Sequence, residues 1–212
     1  MDVPALAQEI DRCLAALPPD AGVPEFRRVR REYTEALRGV PAQTVLELAL
    51  TLLKVHGRRG TAYELVHHHR AAFRALTPRL VEELGEGLSS WGATDAFGAY
   101  ISGPAWHAGL VNTAEVQRWA GSADRWWRRA ALVSCIYPRG GVERTLAVCR
   151  LLVHDRDDMV VKAMSWALRE LVRFDRAAVE GFLSEYERAL AARVKRELRH
   201  KLRTGLKNLR RA

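Results

Sequence analysis

The chain has 212 residues, of which 48% are hydrophobic and 28% charged, so a disordered or fibrous protein is excluded and a compact domain with a sizeable core is favoured. No apolar stretch approaches the roughly 20 residues of a membrane span, and the first residues carry acids where a signal peptide is basic and then apolar. Three cysteines without a CxxC pair indicate neither a disulfide framework nor a cysteine zinc site, so we expect a cytoplasmic protein.

Positive charge is concentrated near the C-terminal end of the sequence. The net charge is +9, and residues 193–212 alone contribute +8, which leaves +1 for all other residues together. A basic segment at one end of a folded chain is typical of a protein that binds a polyanion, most often nucleic acid. A solvated helix without a ligand is the alternative.

Apolar residues recur at spacings of three and four along the chain, whereas the alternation typical of strands is hard to find, so the pattern predicts an all-α fold. Short breaks rich in Gly and Pro, together with capping aspartates, separate the helices. Among these breaks are Gly103-Pro104 and the caps Asp155 and Asp175. The predicted helices, in chain order, are 3–17, 25–37, 43–56, 59–76, 78–88, 91–101, 113–120, 123–137, 142–153, 156–173, 176–190 and 193–206.

Short loops between so many helices predict that each helix packs against the next in antiparallel order. The helical hairpins repeat every 35 to 40 residues, roughly the period of HEAT-type repeats. We therefore expect a single domain over residues 1–212, an α-solenoid of HEAT-like antiparallel helical repeats that ends in a basic helix at about 193–212. A closed helical bundle is the alternative layout.

Three consecutive histidines, His67, His68 and His69, fall within a predicted helix. Consecutive side chains on a helix point about 100° apart, so these three cannot converge on one metal ion and we expect no metal site. A phosphate contact by His67 or His69 is the alternative.

In the sixth predicted helix, Trp91 and Asp95 lie four residues apart on the face opposite the apolar stripe. The small residues Gly92, Thr94 and Gly98 surround the carboxylate. We expect this arrangement around a catalytic carboxylate in an open cleft. The alternative is a surface aspartate beside a tryptophan that covers the neighbouring repeat.

The predicted helix 123–137 contains a cluster of arginines and tryptophans. Its periodicity places Arg125, Arg128 and Arg129 on the side away from the core, where guanidinium groups are suited to bidentate contact with phosphate. Trp126 and Trp127 are more typical of core packing.

The predicted helix 156–173 has an apolar core stripe, and Trp166 lies on the opposite face. Its neighbours there include Lys162, Arg169 and Arg173. An indole among charges is better suited to packing on a sugar, a base or a cation than to open solvent. An exposed tryptophan without a ligand is the alternative.

Taken together, these motifs resemble the AlkD-type DNA alkylation-repair glycosylases, a family with an all-helical stack of HEAT-like repeats. The resemblance covers most of residues 20–207. It rests on three strings, which are Trp91-x-x-x-Asp95, Trp126-Trp127-Arg128-Arg129-Ala-Ala-Leu and Lys162-Ala-Met-Ser-Trp166-Ala-Leu-Arg-Glu170.

The resemblance implies a DNA glycosylase of base excision repair or alkylation resistance, which excises N3- or N7-alkylated purines from duplex DNA without a metal or organic cofactor. It implies that Asp95 is the catalytic carboxylate and that Trp91 and Trp166 are the aromatic walls of the lesion cleft. A monomer is the default expectation for such an enzyme. The basic residues that we expect at the DNA are Arg128, Arg129, Lys162, Arg169, Arg173, Arg199 and Lys207.

Two features depart from the family pattern. The first helix lacks the usual aromatic residues, and Gly92 stands where an acid often follows the first tryptophan, so we expect a different substrate range. A non-catalytic HEAT-repeat protein that binds damaged or branched DNA is the second hypothesis, and a protein-binding scaffold is the third. The carboxylate favours the enzyme over the second, because a DNA binder has no need of an acid that faces phosphates.

Overall fold

The computed structural model describes residues 1–136 and 141–206, and every regular element within these ranges is a helix. The prediction of an all-α fold is therefore confirmed. None of the described helices combines the length and the apolar character that crossing a membrane requires. The chain divides into two compact units, one from Met1 to Glu86 and one that begins at Gly87. The division into one domain stays a prediction, and each unit is described by itself.

The first unit is organised around α3, which packs on α1, α4 and α5, while α2 packs on α1 and α4. Its core includes Ile10, Leu48, Leu52 and Tyr63, all fully buried. The hydroxyl of Tyr63 donates a hydrogen bond to the carbonyl of Leu84 at 2.7 Å, which ties the end of α6 to α4. The helices are α1 (Val3–Ala15), α2 (Val23–Ala36), α3 (Ala42–Lys54), α4 (Arg59–His68), α5 (Arg70–Arg74) and α6 (Pro78–Gly85).

The fourth predicted helix is interrupted at His69. The backbone there is extended, with φ −94° and ψ 96°, and the ring Nδ1 accepts a hydrogen bond from the N–H of Ala72 at 3.1 Å. Because this side chain caps a new helix, it competes with continuation of the old one. The prediction of one unbroken helix is therefore wrong. His67 packs edge-on against the rings of His68 and Phe73.

The second unit contains two layers of helices. In the first layer α7, α10, α12 and α14 follow each other as packed neighbours. In the second layer α9 packs on α11, and α11 also contacts α10 and α12 of the first layer. This is the sequential stacking of helical pairs expected of HEAT-like repeats. The helices are α7 (Trp91–Phe97), α8 (Gly103–His107), α9 (Thr113–Ala120), α10 (Arg125–Ser134), α11 (Val142–Leu151), α12 (Asp158–Leu171), α13 (Arg176–Glu185) and α14 (Ala192–Thr204).

A π-helical segment, Gly98–Ser102, joins α7 to α8 without a break. The N–H of Gly103 donates to the carbonyl of Gly98, five residues earlier, in the wider hydrogen-bond pattern of a π-helix. Pro104 has no N–H to donate, and an ordinary α-helical turn would press its ring against the preceding turn. The wider turn accommodates this ring, so the predicted break at Gly103-Pro104 is wrong.

Gly98 lies in a close contact between the π-helical segment and Val133 of α10. A Cβ atom at Gly98 would lie 2.3 Å from Cγ1 of Val133, and Thr94 on the same side is fully buried. The expectation that Gly98 and Thr94 open a cleft around Asp95 is therefore wrong, because both face the packed interior. Gly92 is different, since a Cβ atom there would have no neighbour within 4 Å.

We predict that Gly98→Ala lowers the free energy of unfolding by about 1 to 3 kcal/mol, because the added methyl group overpacks the contact with Val133. Gly92→Ala is the matched control on α7, which leads directly into the π-helical segment. It should leave stability unchanged or raise it by up to about 1 kcal/mol, since alanine has the higher helix propensity and the space is open. Denaturant unfolding of both variants checks this. Equal stability of Gly98→Ala and the unaltered protein would contradict the packing described here.

Candidate functional site

The centre of the candidate site is an ion pair between Asp95 of α7 and Arg129 of α10. Nε of Arg129 donates to Oδ1 of Asp95 at 2.9 Å, and Nη2 donates to Oδ2 at 2.8 Å. Such a bidentate pair is both strong and specific in its geometry. The Arg129 side chain is 6% exposed and that of Asp95 is 21% exposed. The guanidinium is thus enclosed, whereas the carboxyl group keeps some access to solvent.

Arg129 connects three helices of one layer. In addition to Asp95, it binds the main-chain carbonyl of Met159 in the first turn of α12, to which Nη1 donates at 2.6 Å. Three of its five N–H groups are therefore used inside the protein. The expectation that this guanidinium points away from the core is wrong, because α10 is flanked by α7 on one side and α12 on the other.

The two tryptophans predicted to line the cleft lie on helices that Arg129 joins. Trp91 is the first residue of α7, whose N-terminus is capped by the Ser90 hydroxyl, and it is 63% exposed. Trp166 lies on α12 and is half-buried, between the buried residues Ser165 and Ala167. The structure thus leaves indole surface accessible on both helices that flank α10.

Trp126 and Trp127 of α10 differ in their surroundings. The Trp127 ring packs on Phe97, with centroids 5.9 Å apart, and on Trp119, with centroids 5.5 Å apart. Trp127 is therefore a packing residue that fixes α10 against α7 and α9. The guanidinium of Arg125 lies over the Trp126 ring in a cation–π contact, with its Cζ 5.0 Å from the ring centroid.

Arg128 is also paired within the protein. Its Nε donates to Oδ2 of Asp155 at 2.7 Å, and its Nη1 donates to the carbonyls of Ser122 and Ala123. Both arginines that the sequence suggested for a phosphate contact therefore have internal partners. The Arg128 side chain is 20% exposed and is the more accessible of the two.

The loop before α12 was missed by sequence reasoning, which began this helix at residue 156 with Asp155 as its cap. The helix begins at Asp158, and Asp157 caps it by accepting a hydrogen bond from the N–H of Met159 at 2.9 Å. Burial by itself raises the pKa of Asp157, but the hydrogen bonds from Met159 and Arg125 outweigh it and lower that pKa. The signal in the sequence was the acid-rich string 155–158, whose negative charge complements the positive charge of the arginines of α10.

Arg169, predicted to bind DNA, is largely buried between α12 and α14. It pairs with Glu197 at 3.4 Å, and Glu197 also accepts hydrogen bonds from Ser165 at 2.7 Å and from Arg193 at 2.8 Å. Burial alone raises the pKa of Glu197, but the Ser165 hydrogen bond and the two positive charges lower it overall. In this structure Arg169 therefore belongs to the contact between the two helices.

The remaining basic residues predicted to bind DNA are more accessible. Lys162, Arg173 and Arg199 each form an ion pair at the surface, and such pairs contribute only about 0 to 1 kcal/mol to stability, so they can exchange for a phosphate. Lys207 lies outside the described residues. The acidic partners are Asp158, Glu170 and Glu187, respectively.

An open groove runs along one face of α14, here called the α14 groove. The opposite face of the helix packs inward through the buried residues Val194 and Leu198. Within the described part of the chain, Arg196 and Arg203 form no ion pair with an acid, so the groove carries uncompensated positive charge. The lining residues are Ala192, Lys195, Arg196, Arg199, His200 and Arg203.

Two of the three cysteines are buried, and the side-chain types that bind metals are scattered in the described residues. No group of three or more His, Cys, Asp or Glu side chains there could hold a metal ion. Cys135 and Cys149 are buried, and burial raises the pKa of both thiols, that of Cys149 to about 12. Because the thiolate is the reactive form, neither thiol is suited to act as a nucleophile.

Comparison with known protein families shows the family to which the chain is similar. A family model described as DNA alkylation repair enzyme matches residues 21–202. The matched range includes Trp91, Asp95, Arg129 and Trp166. Among curated proteins, none matches this sequence.

Proposed function

The chain belongs to the DNA alkylation repair enzyme family, and from this premise we propose that it is a DNA glycosylase acting on duplex DNA. The proposed reaction is hydrolysis of the N-glycosidic bond of cationic N3- or N7-alkylated purines. The main support is the bidentate pair of Asp95 and Arg129, which fixes a partly exposed carboxylate on the layer of helices that also carries Trp91 and Trp166.

The chemistry of the lesion explains why one carboxylate is sufficient. An N3- or N7-alkylated purine already carries a positive charge, so it leaves with the bonding electron pair as a neutral base and needs no proton from an acid. Positive charge then develops on the deoxyribose as an oxocarbenium ion. A fixed carboxylate stabilises that charge electrostatically, and this is the role we assign to Asp95.

The contact with Arg129 leaves part of the hydrogen-bonding capacity of the Asp95 carboxylate unused. Each carboxylate oxygen has two lone pairs, and Arg129 takes one on each oxygen. The other lone pairs of Asp95 can accept a hydrogen bond from the attacking water, whose oxygen bonds to the anomeric carbon and whose proton passes to the carboxylate or to solvent. Because the carboxylate is oriented before substrate binds, little reorganisation remains in the transition state.

The tryptophans contribute their electron-rich faces. An indole face attracts a cation through its quadrupole, and this attraction is stronger when water is excluded. We assign the exposed ring of Trp91 and the accessible surface of Trp166 to contacts with the cationic base or sugar.

Duplex DNA is the partner that the basic surfaces favour. We assign phosphate contacts to the α14 groove and to Lys162, Arg173 and Arg199. We assign the phosphate next to the lesion to Arg129, because it lies beside Asp95 and its contacts with Asp95 and Met159 use only three of its five N–H groups. Its side chain is only 6% exposed, so this contact requires the phosphate to approach Asp95 closely.

A non-catalytic protein of the same family that binds damaged or branched DNA is the second candidate. The observation that favours it is the ion pair itself, because a carboxylate satisfied by a buried arginine also suits a purely structural role. The two candidates differ in whether any base is released.

The deciding experiment uses a duplex that contains a single 7-methylguanine and measures released base and abasic sites. We expect the unaltered protein to release the base and Asp95→Asn to do so roughly 10²-fold more slowly, because the neutral amide keeps the shape but loses the charge. Duplex affinity should hold or increase, since a carboxylate repels phosphates in the ground state. Asp95→Asn also weakens a largely buried ion pair, so rates must be normalised to folded protein.

Glu180→Gln is the control for that experiment, because it removes a carboxylate from an exposed ion pair on α13. Its excision rate should equal that of the unaltered protein. Binding without any base release by the unaltered protein would favour the second candidate. Normal excision by Asp95→Asn would show that Asp95 does not stabilise the transition state.

For the α14 groove, we predict that the double variant Arg196→Glu, Arg203→Glu binds undamaged duplex more weakly and with a smaller salt dependence. Each lost phosphate contact lowers the slope of log affinity against log salt concentration by about 0.9, so the slope should fall by roughly 2. Fluorescence anisotropy at several salt concentrations measures it.

The control for the groove is the double variant Arg12→Glu, Arg79→Glu, which makes the same change in net charge at exposed sites of the first unit. It should affect duplex affinity much less. If both double variants weaken binding equally, net charge rather than the α14 groove determines affinity.

A further inference from the structure

Arg129 is the arginine of α10 that contacts Asp95, whereas its neighbour Arg128 contacts Asp155. We propose that Arg128 and Asp155 are a positioning pair that fixes the start of α12, and with it the Met159 carbonyl that holds Arg129. This role rests on the proposed glycosylase function, because Arg129 in turn orients Asp95.

The Arg128–Asp155 pair is mostly buried, and each side chain forms further hydrogen bonds. The side chains of Arg128 and Asp155 are 20% and 10% exposed, and their shortest contact is 2.7 Å. Nη1 of Arg128 also donates to the carbonyls of Ser122 at 3.0 Å and Ala123 at 2.8 Å, which precede α10. Because partly buried charges are screened little by salt, this pair holds the loop more firmly than a surface pair.

A chain of hydrogen bonds leads from this pair to the site. The second oxygen of Asp155, Oδ1, accepts from the N–H of Asp157 at 2.9 Å, and Oδ1 of Asp157 accepts from the N–H of Met159 at 2.9 Å. The carbonyl of the same Met159 accepts from Nη1 of Arg129 at 2.6 Å. Both main-chain polar groups of Met159 are thus fixed, one through Arg128 and the other by Arg129.

Arg125 provides the contrast within the same helix and the same loop. It reaches Asp157 at a longer distance of 3.4 Å, and its side chain is 52% exposed. An exposed pair of this length contributes little. Loss of Arg125 should therefore leave the start of α12 in place, whereas loss of Arg128 or Asp155 should not.

The expected consequence is a slower chemical step with unchanged DNA affinity. If the start of α12 shifts, Arg129 loses its carbonyl partner and holds Asp95 less firmly. A displacement of about 1 Å at a catalytic group can lower the rate by as much as 10²-fold. A side chain that contacts a DNA phosphate would behave differently, because its removal weakens binding to every duplex.

The experiment compares Arg128→Gln, Asp155→Asn and the double variant in single-turnover release of 7-methylguanine, at a temperature where all are folded. We expect each single variant to be about tenfold slower or more, and the double variant to be no slower than the slower single one, because both changes break one interaction. Affinity for undamaged duplex should match that of the unaltered protein. Arg128→Lys should restore part of the rate, and Arg176→Gln, which breaks an exposed ion pair on α13, should keep all of it.

Two results would overturn this role. Weaker duplex binding by Arg128→Gln but not by Asp155→Asn would make Arg128 a phosphate ligand. Lower thermal stability of both variants with normal rates would make the pair merely structural.

A second measurement is independent of activity, namely hydrogen exchange at the N–H groups of Asp157 and Met159 in the protein without DNA. Exchange should accelerate in Arg128→Gln and Asp155→Asn but not in Arg125→Gln, and unchanged exchange in the first two would refute the positioning role. If the unaltered protein releases no base, the proposed function fails, whereas the exchange data still decide whether the pair positions α12.

Discussion

The ion pair between Asp95 and Arg129 is the contact on which the arrangement of α7, α10 and α12 depends. An almost completely enclosed guanidinium is tolerated only when a carboxylate and further acceptors satisfy it, and removal of one partner of a buried pair typically costs about 3 to 5 kcal/mol. The three helices must therefore keep the spacing at which one arginine reaches both Asp95 and the carbonyl of Met159. The close contact of Gly98 with Val133 keeps the π-helical segment that continues α7 near α10.

Much of the fold could be predicted from the sequence, because apolar spacing along a helix is local information. Helix content follows from it, and so does the packing of some helices on the next one, such as α3 on α4 and α9 on α10. The packing of α10 on α7 and on α12 joins helices that are not consecutive, and the local pattern does not predict it. The interruption at His69 was missed because a histidine ring acts as a cap, a role that periodicity does not report. The continuation through Pro104 was missed because a π-helical turn removes the clash that normally ends a helix at proline.

The site was predictable only in part. Periodicity places Trp166 off the core stripe, and the structure leaves it half-buried on α12. The same reasoning placed Arg129 on the outer side of α10, because a helical wheel recognises one buried face, whereas a helix between two neighbours in a layer also buries its flanks. The pairing of Arg129 with Asp95 depends on which helices become neighbours, and this is tertiary information. The roles of Asp155 and Asp157 were missed for the same reason.

The central claim is that a carboxylate held by Arg129 stabilises positive charge on the deoxyribose. The most direct test is the affinity for two duplexes in which the lesion nucleotide is replaced by an abasic analogue, one a protonated pyrrolidine and the other a neutral tetrahydrofuran. The unaltered protein should bind the cationic analogue at least about tenfold more tightly, and Asp95→Asn should lose that preference, because only the charged analogue resembles the transition state. Equal affinity of the unaltered protein for the two duplexes would contradict the stabilisation of a cationic sugar by Asp95.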